Sequence, residues 1–152
     1  MKKILIAMDY DPTAQKVAEI GYSFAQAIEA EVTLLHVITD STYYSSHEYT
    51  PIGFYDFGST QLFEKQGIEK ATMHYLEKIK KHLGNESIKT IIEEGKFAET
   101  ILKVAKSQHS DIIVMGSHSR RWLEEILMGS VTAKVLKDTK IPLFIIPTKK
   151  QK

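Results

Sequence analysis

Residues 2–38 read KKILIAMDYDPTAQKVAEIGYSFAQAIEAEVTLLHVI and contain two kinds of apolar pattern. Lys2–Met8 is a compact apolar run that ends in the turn-forming residues 9–12, which is typical of a buried strand followed by a turn. Apolar residues then recur at steps of three and four, as they do on one face of an amphipathic helix. Glu31–Ile38 is again a continuous apolar run. The segment therefore predicts a strand, a helix and a second strand.

The same alternation continues to residue 146. The later predicted strands are Ser87–Glu93, Asp111–Met115 and Ile141–Ile146, and the later helices are Gln61–Leu83, Phe97–Lys106 and a helix that follows a loop within Gly116–Asp138. Near-continuous apolar strands separated by helices are typical of a parallel sheet that is covered on both faces. We therefore expect an α/β fold, one domain over residues 1–152 with a single, doubly wound, five-stranded parallel sheet. On the Gln61–Leu83 helix, the residues expected to share the buried side are Leu62, Met73, Leu76, Ile79 and Leu83.

The last predicted strand has the features of a sheet edge. Pro142 and Pro147 bracket it, and proline is tolerated mainly at sheet edges and strand ends. An apolar edge strand invites pairing with a second copy, so we expect a homodimer through Ile141–Ile146. The alternative is an edge that is protected by Pro142 and by the lysines at positions 149, 150 and 152.

Composition excludes several classes of protein. The chain has 152 residues and no cysteine, which excludes disulfides, thiolate metal sites and cysteine nucleophiles and fits the cytoplasm. The 20 Lys and Arg nearly cancel the 19 Asp and Glu, so a large nucleic-acid footprint is not expected. The N-terminal apolar run is too short for a signal peptide or a membrane span. We expect a soluble protein with no membrane partner.

Residues 40–60 form one long irregular connection. It is rich in tyrosine and phenylalanine and has no lysine or arginine, so it is not a phosphate clamp. Connections of this length are often functional, which favours a lid or a partner surface. The alternative is a mobile loop whose aromatic side chains pack on their own domain.

Small residues follow the fourth predicted strand and precede the last helix. Gly116 comes directly after the strand, and Gly129-Ser130-Val131 opens the helix. Glycine lets the backbone approach an anion closely, and the free N–H groups at a helix start carry the positive end of its dipole. Arg120 and Arg121 lie between the two turns, and a planar guanidinium suits phosphate. Together these features predict a phosphate site, although each alone also occurs where nothing binds.

Asp9 directly follows the first predicted strand. In open parallel sheets, ligands bind beyond the carboxyl ends of the strands where the winding reverses. The Asp9 carboxylate can there accept from an adenine amine or a ribose hydroxyl, or help to hold a divalent ion; the alternative is that it caps the turn into the first helix. No catalytic residue and no metal cluster are predicted, because the six histidines lack H-x-x-x-H and H-E-x-x-H spacing. Each histidine is expected on the surface or partly buried, with the exception of His118, which lies within the predicted phosphate site and is expected to contact phosphate rather than to transfer a proton.

Taken jointly, four stretches resemble the universal stress protein family. They are KKILIAMD, LLHVI, GKFAETILKVAKSQHSDIIVMGSHSRR and MGSVTAKVLKDTKIPLFIIP. The resemblance covers nearly the whole chain, and residues 40–60 are its poorly matched part. Nucleotide-binding members of that family carry G-2x-G-9x-G-[S/T] between the fourth strand and the last helix. The resemblance implies a Rossmann-like sheet of the adenine nucleotide alpha hydrolase type, a homodimer through the last strand and, in one subfamily, bound ATP or AMP.

The resemblance also implies roles by position. Asp9 and the backbone around Ala7 and Val37 would hold the adenosine, and Gly116, preceded by Met115, would lie by the ribose. The residues that would line the phosphates are Ser119, Arg120, Gly129, Ser130 and Val131. Ser119 departs from the motif, which has glycine there. If that position needs a positive φ, serine costs on the order of 1 kcal/mol, which weakens binding without abolishing it.

The function expected from these residues is a cytoplasmic stress-response regulatory protein that binds ATP or AMP, with Mg²⁺ as a further candidate ligand on the phosphates. Two alternatives remain open. One is a dimeric interaction module of the same fold that binds no nucleotide. The other is a weak ATPase, for which His118 and Asp9 are the only reasonable candidates as general base.

Overall fold

The computed structural model describes residues 1–9, 13–39, 65–117 and 129–148. Within these ranges strands and helices alternate along the chain. The strands are β1 (Lys3–Met8), β2 (Glu31–Ile38), β3 (Lys89–Glu94), β4 (Ile112–Gly116) and β5 (Leu143–Ile146). The helices are α1 (Ala14–Ala27), α2 (Lys65–Leu83), α3 (Phe97–Ser107) and α4 (Ser130–Asp138). The aromatic connection of residues 40–60 lies outside the described residues.

All five strands form one parallel sheet in the order β3-β2-β1-β4-β5. The chain winds from β1 outward to β3, then returns to the other side of β1 with β4 and continues to β5. This order confirms the predicted doubly wound, five-stranded sheet and places β5 at an edge. The winding reverses between β1 and β4, whose carboxyl ends lie side by side, and this is where open α/β sheets hold their ligands.

The helices cover the sheet on both faces, as predicted. On one face α1 and α2 bury the apolar side chains of Ile4, Ile6, Leu34 and Val114. On the other face α3 and α4 cover Leu5, Leu35, Ile113 and Met115. Because consecutive strand residues point to opposite faces, the continuous apolar runs of β1, β2 and β4 supply both cores at once.

The prediction for the buried side of α2 was wrong in one residue. Met73 is 49% exposed, whereas Tyr75, Leu76 and Ile79 are buried. At about 100° per residue, Met73 lies roughly 120° around the helix from the centre of the buried face, near Ile79. Leu62 lies outside the described residues. Within the described ranges, no helix has both the length and the apolar character needed to cross a membrane.

Two strands, β3 and β5, begin two residues later than predicted, and local side-chain bonds explain both differences. Before β3, the Asn85 side chain accepts hydrogen bonds from the N–H and hydroxyl of Ser87, so that residue belongs to a turn. Before β5, the Thr139 hydroxyl bonds to the backbone N–H and carbonyl of Ile141. Pro142 has no N–H to donate, although its carbonyl accepts from the backbone of β4. Side-chain bonding of this kind competes with sheet pairing.

Helix α1 packs unusually close to β1 and β4 at Gly21. A Cβ atom added there would lie 2.9 Å from Ile6 Cδ1 and 3.0 Å from Val114 Cγ1. These separations are shorter than side-chain carbons tolerate, so the helix and the sheet are already in contact. The contact fixes the height of α1 above the two strands whose carboxyl ends form the reversal point.

We predict that Gly21→Ala destabilises the fold by about 1 kcal/mol. Alanine gains up to about 1 kcal/mol of helix propensity over glycine, but overpacking a closed core costs about 1–3 kcal/mol. Urea unfolding measures the difference. Ile6→Val removes the Cδ1 atom that the new methyl meets, so Gly21→Ala should cost less in an Ile6→Val background. The control is Ser23→Ala, at an exposed position of the same helix, which should change the free energy of unfolding by less than about 0.5 kcal/mol. If Gly21→Ala and Ser23→Ala raised the free energy of unfolding by similar amounts, the steric argument would be contradicted.

Candidate functional site

A cleft opens at the carboxyl ends of β1 and β4. The space between its walls, counted out to the open mouth, is about 560 Å³. Apolar side chains from both layers form its walls, among them Ala14 and Val17 of α1 and Phe97 and Ile101 of α3. The residues of the sequence-predicted site that line it are Ala7, Asp9, Val37, Met115, Gly116 and Val131.

The other members of the predicted site divide into two pairs. Gly129 and Ser130 lie directly before Val131, at the beginning of α4, and so flank the cleft. Ser119 and Arg120 lie outside the described residues. The structure thus brings residues from β1, β2, β4 and α4 to one opening, although they are separated along the sequence by up to about 120 residues.

The two small-residue turns converge, as the phosphate-site prediction requires. The Gly129 N–H donates to the Ser117 carbonyl over 2.7 Å. The Thr132 hydroxyl donates to the Gly116 carbonyl over 2.9 Å. These bonds join the end of β4 to the first turn of α4, so Gly116 and Ser130 belong to the same corner of the molecule.

The start of α4 presents hydrogen-bond donors at the cleft. Gly129 is the N-cap in an extended conformation, and its carbonyl accepts from Ala133. The backbone N–H groups of Ser130, Val131 and Thr132 lie in the first turn of the helix. They have no acceptor within the helix, because a helical N–H donates to the carbonyl four residues before it. The first turn contains no acidic residue. Val131 lines the cleft, so this helix terminus offers partial positive charge to an anion.

Ser117 ties three elements together. Its N–H donates to the carbonyl of Ile146 in β5, its hydroxyl accepts from the N–H of Thr148, and its carbonyl accepts from Gly129. Both Ser117 and Thr148 are buried. The sequence analysis missed this junction. The available signal was a small polar residue directly after an apolar strand, but nothing in the sequence shows which backbone groups it bonds.

The end of β1 is held by two buried side chains. His36 Nδ1 lies 2.9 Å from the Met8 carbonyl, which can only accept, so this nitrogen carries the proton. The Tyr75 hydroxyl donates to the Asp9 carbonyl over 3.1 Å. His36 is 1% exposed, and its burial lowers its pKa to about 4, partly opposed by the bond to Met8. The expectation that every histidine is on the surface or partly buried was therefore wrong for His36; His74, His82 and His109 are exposed.

The buried histidine predicts a loss of stability in weak acid. His36 is neutral in the folded protein down to about pH 4, whereas the unfolded chain takes up the proton near pH 6.5. The contribution of neutral His36 to the free energy of unfolding is therefore complete above the unfolded pKa, and it is lost as the pH falls toward the folded pKa. Between pH 7 and pH 5 the free energy of unfolding should fall by about 2 kcal/mol through this group. Urea unfolding across that range measures it.

The matched variants are His36→Asn and His74→Gln. His36→Asn should flatten the dependence on pH, whatever its own stability. His74→Gln, at an exposed position of α2, should keep the slope of the unmodified protein. Equal slopes in the His36→Asn variant and the unmodified protein would show that another group causes the loss.

The model of the Universal stress protein family matches residues 1–147. The chain belongs to the universal stress protein family. The universal stress protein MJ0577 of Methanocaldococcus jannaschii is 34% identical over 155 aligned residues, which cover 97% of this chain and 96% of that protein. The solved structure of MJ0577 matches with a TM-score of 0.75 and covers 99% of this chain and 98% of its own. Universal stress protein A of Escherichia coli K12 is 27% identical, over 96% of this chain and 94% of its own length.

A further universal stress protein, solved in complex with cAMP, matches with a TM-score of 0.67 over 97% of this chain and 98% of its own. At 15% identity this likeness shows the shared fold alone. Membership confirms the resemblance that the four sequence stretches indicate. In this universal stress protein, Gly116 ends β4 and Gly129 directly precedes α4. Among the described residues, no group of three or more histidine, aspartate or glutamate side chains is arranged to hold a metal ion.

Proposed function

We propose that this universal stress protein is a regulatory protein of the cytoplasm that binds an adenine nucleotide, ATP or AMP, in the cleft between β1 and β4. One observation carries the proposal: an apolar pocket, a carboxylate and the N-terminus of a helix meet at a single opening. A nucleotide has an apolar ring system, a sugar with hydroxyl donors and an anionic tail. Each part of the opening suits one of these three.

The adenosine would occupy the inner, apolar part. Its walls include Leu35, Val37, Phe97 and Ile101, which can enclose a flat aromatic base and remove its faces from water. Asp9 stands at the same opening, and a carboxylate accepts hydrogen bonds from ribose hydroxyls or the adenine amine. This half of the site would confer selectivity for a nucleoside over phosphate alone.

The phosphates would lie against the corner where Gly116 meets Gly129 and Ser130. There the backbone N–H groups of the first turn of α4 would donate to the anion, and the Ser130 hydroxyl would add a donor. Ser119 and Arg120 remain proposed phosphate contacts. Mg²⁺ would bind mainly to the phosphate oxygens and water, which is its usual arrangement with nucleotides. We assign no catalytic residue.

We predict that the protein binds ATP in calorimetric titration with Mg²⁺ present and that Ser130→Asp weakens this binding at least about tenfold, or about 1.4 kcal/mol. An aspartate at the first position of α4 favours the helix through its dipole, so the fold should keep its stability. The same carboxylate repels the phosphates. Adenosine, which has no phosphate, should bind both proteins equally.

Ser23→Asp is the matched control, since it adds the same charge at an exposed position of α1 outside the cleft. It should leave ATP affinity within about twofold of the unmodified protein. Absence of binding by the unmodified protein at millimolar ATP, ADP and AMP would contradict the proposed function. Equal losses for adenosine and ATP in Ser130→Asp would place the phosphates elsewhere.

We also propose that two copies pair through the segment Ile141–Ile146. In the described sheet β5 is an edge strand with β4 as its neighbour. The Pro142 carbonyl accepts from Ile113 of β4, and the Ile146 carbonyl accepts from Ser117, the residue after β4. Since alternate residues of a parallel strand point their N–H and carbonyl groups to opposite sides, Leu143 and Ile145 direct theirs away from β4. None of the described strands pairs with this outward row, which would suit pairing with a second copy.

We predict that the protein sediments as a dimer and that Ile145→Pro converts it to a monomer. Proline removes an outward N–H without touching the bonds to β4, and edge strands tolerate it. Analytical ultracentrifugation measures the mass. Lys140→Pro, just outside the segment, is a control for the substitution itself. A dimer that survives Ile145→Pro would contradict pairing through this strand.

A further inference from the structure

Two consecutive backbone carbonyls at the end of β1 are each bonded by a buried side chain from a different element. The Met8 carbonyl accepts from His36 of β2 over 2.9 Å, and the Asp9 carbonyl accepts from Tyr75 of α2 over 3.1 Å. His36 and Tyr75 are 1% and 5% exposed. Met8 and Asp9 both line the cleft, so two buried polar side chains converge on the backbone of the proposed site.

The sheet alone does not hold this part of the chain. The register of β1 with β4 ends at Ile6, and its register with β2 ends at Met8, opposite His36. Asp9 therefore lies beyond the ladder on both sides. Backbone that has left a sheet has two soft dihedral angles per residue, and other contacts must fix them if a side chain is to keep one direction.

The two bonds act on the two peptide planes that meet at the Asp9 Cα. The Met8 carbonyl belongs to the plane before that atom, and the Asp9 carbonyl belongs to the plane after it. Each peptide unit is rigid, so holding both carbonyl directions fixes φ and ψ of Asp9. The direction of the bond from Cα to Cβ, which carries the carboxylate, is fixed with them.

The His36 donor is in place across the neutral pH range. Burial lowers the pKa of His36 to about 4, so the ring is neutral, with its proton on Nδ1, where the Met8 carbonyl requires it. Neither His36 nor Tyr75 lines the cleft, which excludes direct ligand contact in the described structure and leaves an effect through the backbone.

We propose that His36 and Tyr75 are positioning residues for the adenosine half of the site: by holding the peptide planes on both sides of Asp9, they aim its carboxylate at the hydroxyl or amino donors of a bound nucleoside. The inference rests on the proposed function and extends it to two residues outside the cleft. It assigns a function to a histidine and a tyrosine that would otherwise count as ordinary polar groups in the core.

The test is a double-mutant cycle with Tyr75→Phe and Asp9→Asn, read by calorimetric titration of ATP with Mg²⁺. Tyr75→Phe keeps the ring and removes one hydroxyl, so the fold should survive. It should weaken ATP binding about fivefold when Asp9 is present, which corresponds to the loss of one hydrogen bond. In the Asp9→Asn background the same change should have less than about a twofold effect. Equal effects in the two backgrounds would show that Tyr75 does not act through Asp9 and would overturn the proposal.

Tyr22→Phe is the matched control. It removes a hydroxyl that accepts from the Asn85 side chain over 3.1 Å, away from the cleft, so it should leave ATP affinity unchanged. His36→Leu, which removes the other donor, should weaken ATP binding to the same extent as Tyr75→Phe. His36→Asn retains a donor near the position of Nδ1 and should restore part of the affinity. Equal losses in the leucine and asparagine variants would count against the bond to Met8.

A measurement without ligand separates this proposal from the proposed function. The ¹⁵N order parameter of the Asp9 amide should be near the rigid value of about 0.85 in the unmodified protein and should fall toward about 0.6 in Tyr75→Phe. If the unmodified protein binds ATP but neither affinity nor order changes in Tyr75→Phe, the positioning proposal fails and the proposed function stands. If no nucleotide binds, the assignment to a nucleoside fails, and an unchanged order parameter would also exclude the effect on Asp9.

Discussion

The side chains of Ile4, Leu5 and Ile6 are closed off from solvent because β1 lies between β2 and β4 and beneath helices of both layers. Fully burying one such side chain stabilises a fold by about 1.5–3 kcal/mol, so these three together contribute an amount comparable to the whole net stability of a typical domain, about 5–15 kcal/mol. The other elements depend on this strand. It also sets where the winding reverses, and hence where the cleft opens.

The cleft forms where the winding reverses, because the ends of two strands and the start of a helix meet there. β1 and β4 finish side by side, α4 begins at the same corner, and the Gly129 to Ser117 bond joins them. The start of the helix contributes backbone N–H groups that have no acceptor within the helix. The end of the strand contributes a side chain that can turn out of the sheet after the last paired residue. The chemistry that we propose therefore arises mainly from backbone geometry. This explains why the site needs few special side chains.

The sequence was most informative where one physical effect dominates. Continuous apolar runs predicted β2 to the residue and β1 and β4 within one residue, because burial on both faces leaves no alternative. Prediction was poorer where local bonds compete with pairing, as at Ser87 and Ile141, or where the buried arc of a helix is narrow, as at Met73. Six of the ten predicted site residues line the cleft. Asp9, Val37 and Gly116 were indicated by their positions at strand ends, whereas Ala7 came from the family resemblance. The bonds made by His36, Tyr75 and Ser117 were not predicted, because they depend on the spatial arrangement of residues far apart in the chain.

The close contact at Gly21 has a consequence for ligand size. The inward face of α1 carries Ala14, Val17, Ala18, Gly21 and Ala25, and small residues let this helix descend until it touches the strands. A helix already at van der Waals contact cannot move inward, and outward movement would expose the apolar core. The α1 side of the cleft is thus a fixed wall. A relative that evolves to accept a bulkier or slimmer base must adapt the opposite wall, which Phe97 and Ile101 of α3 form.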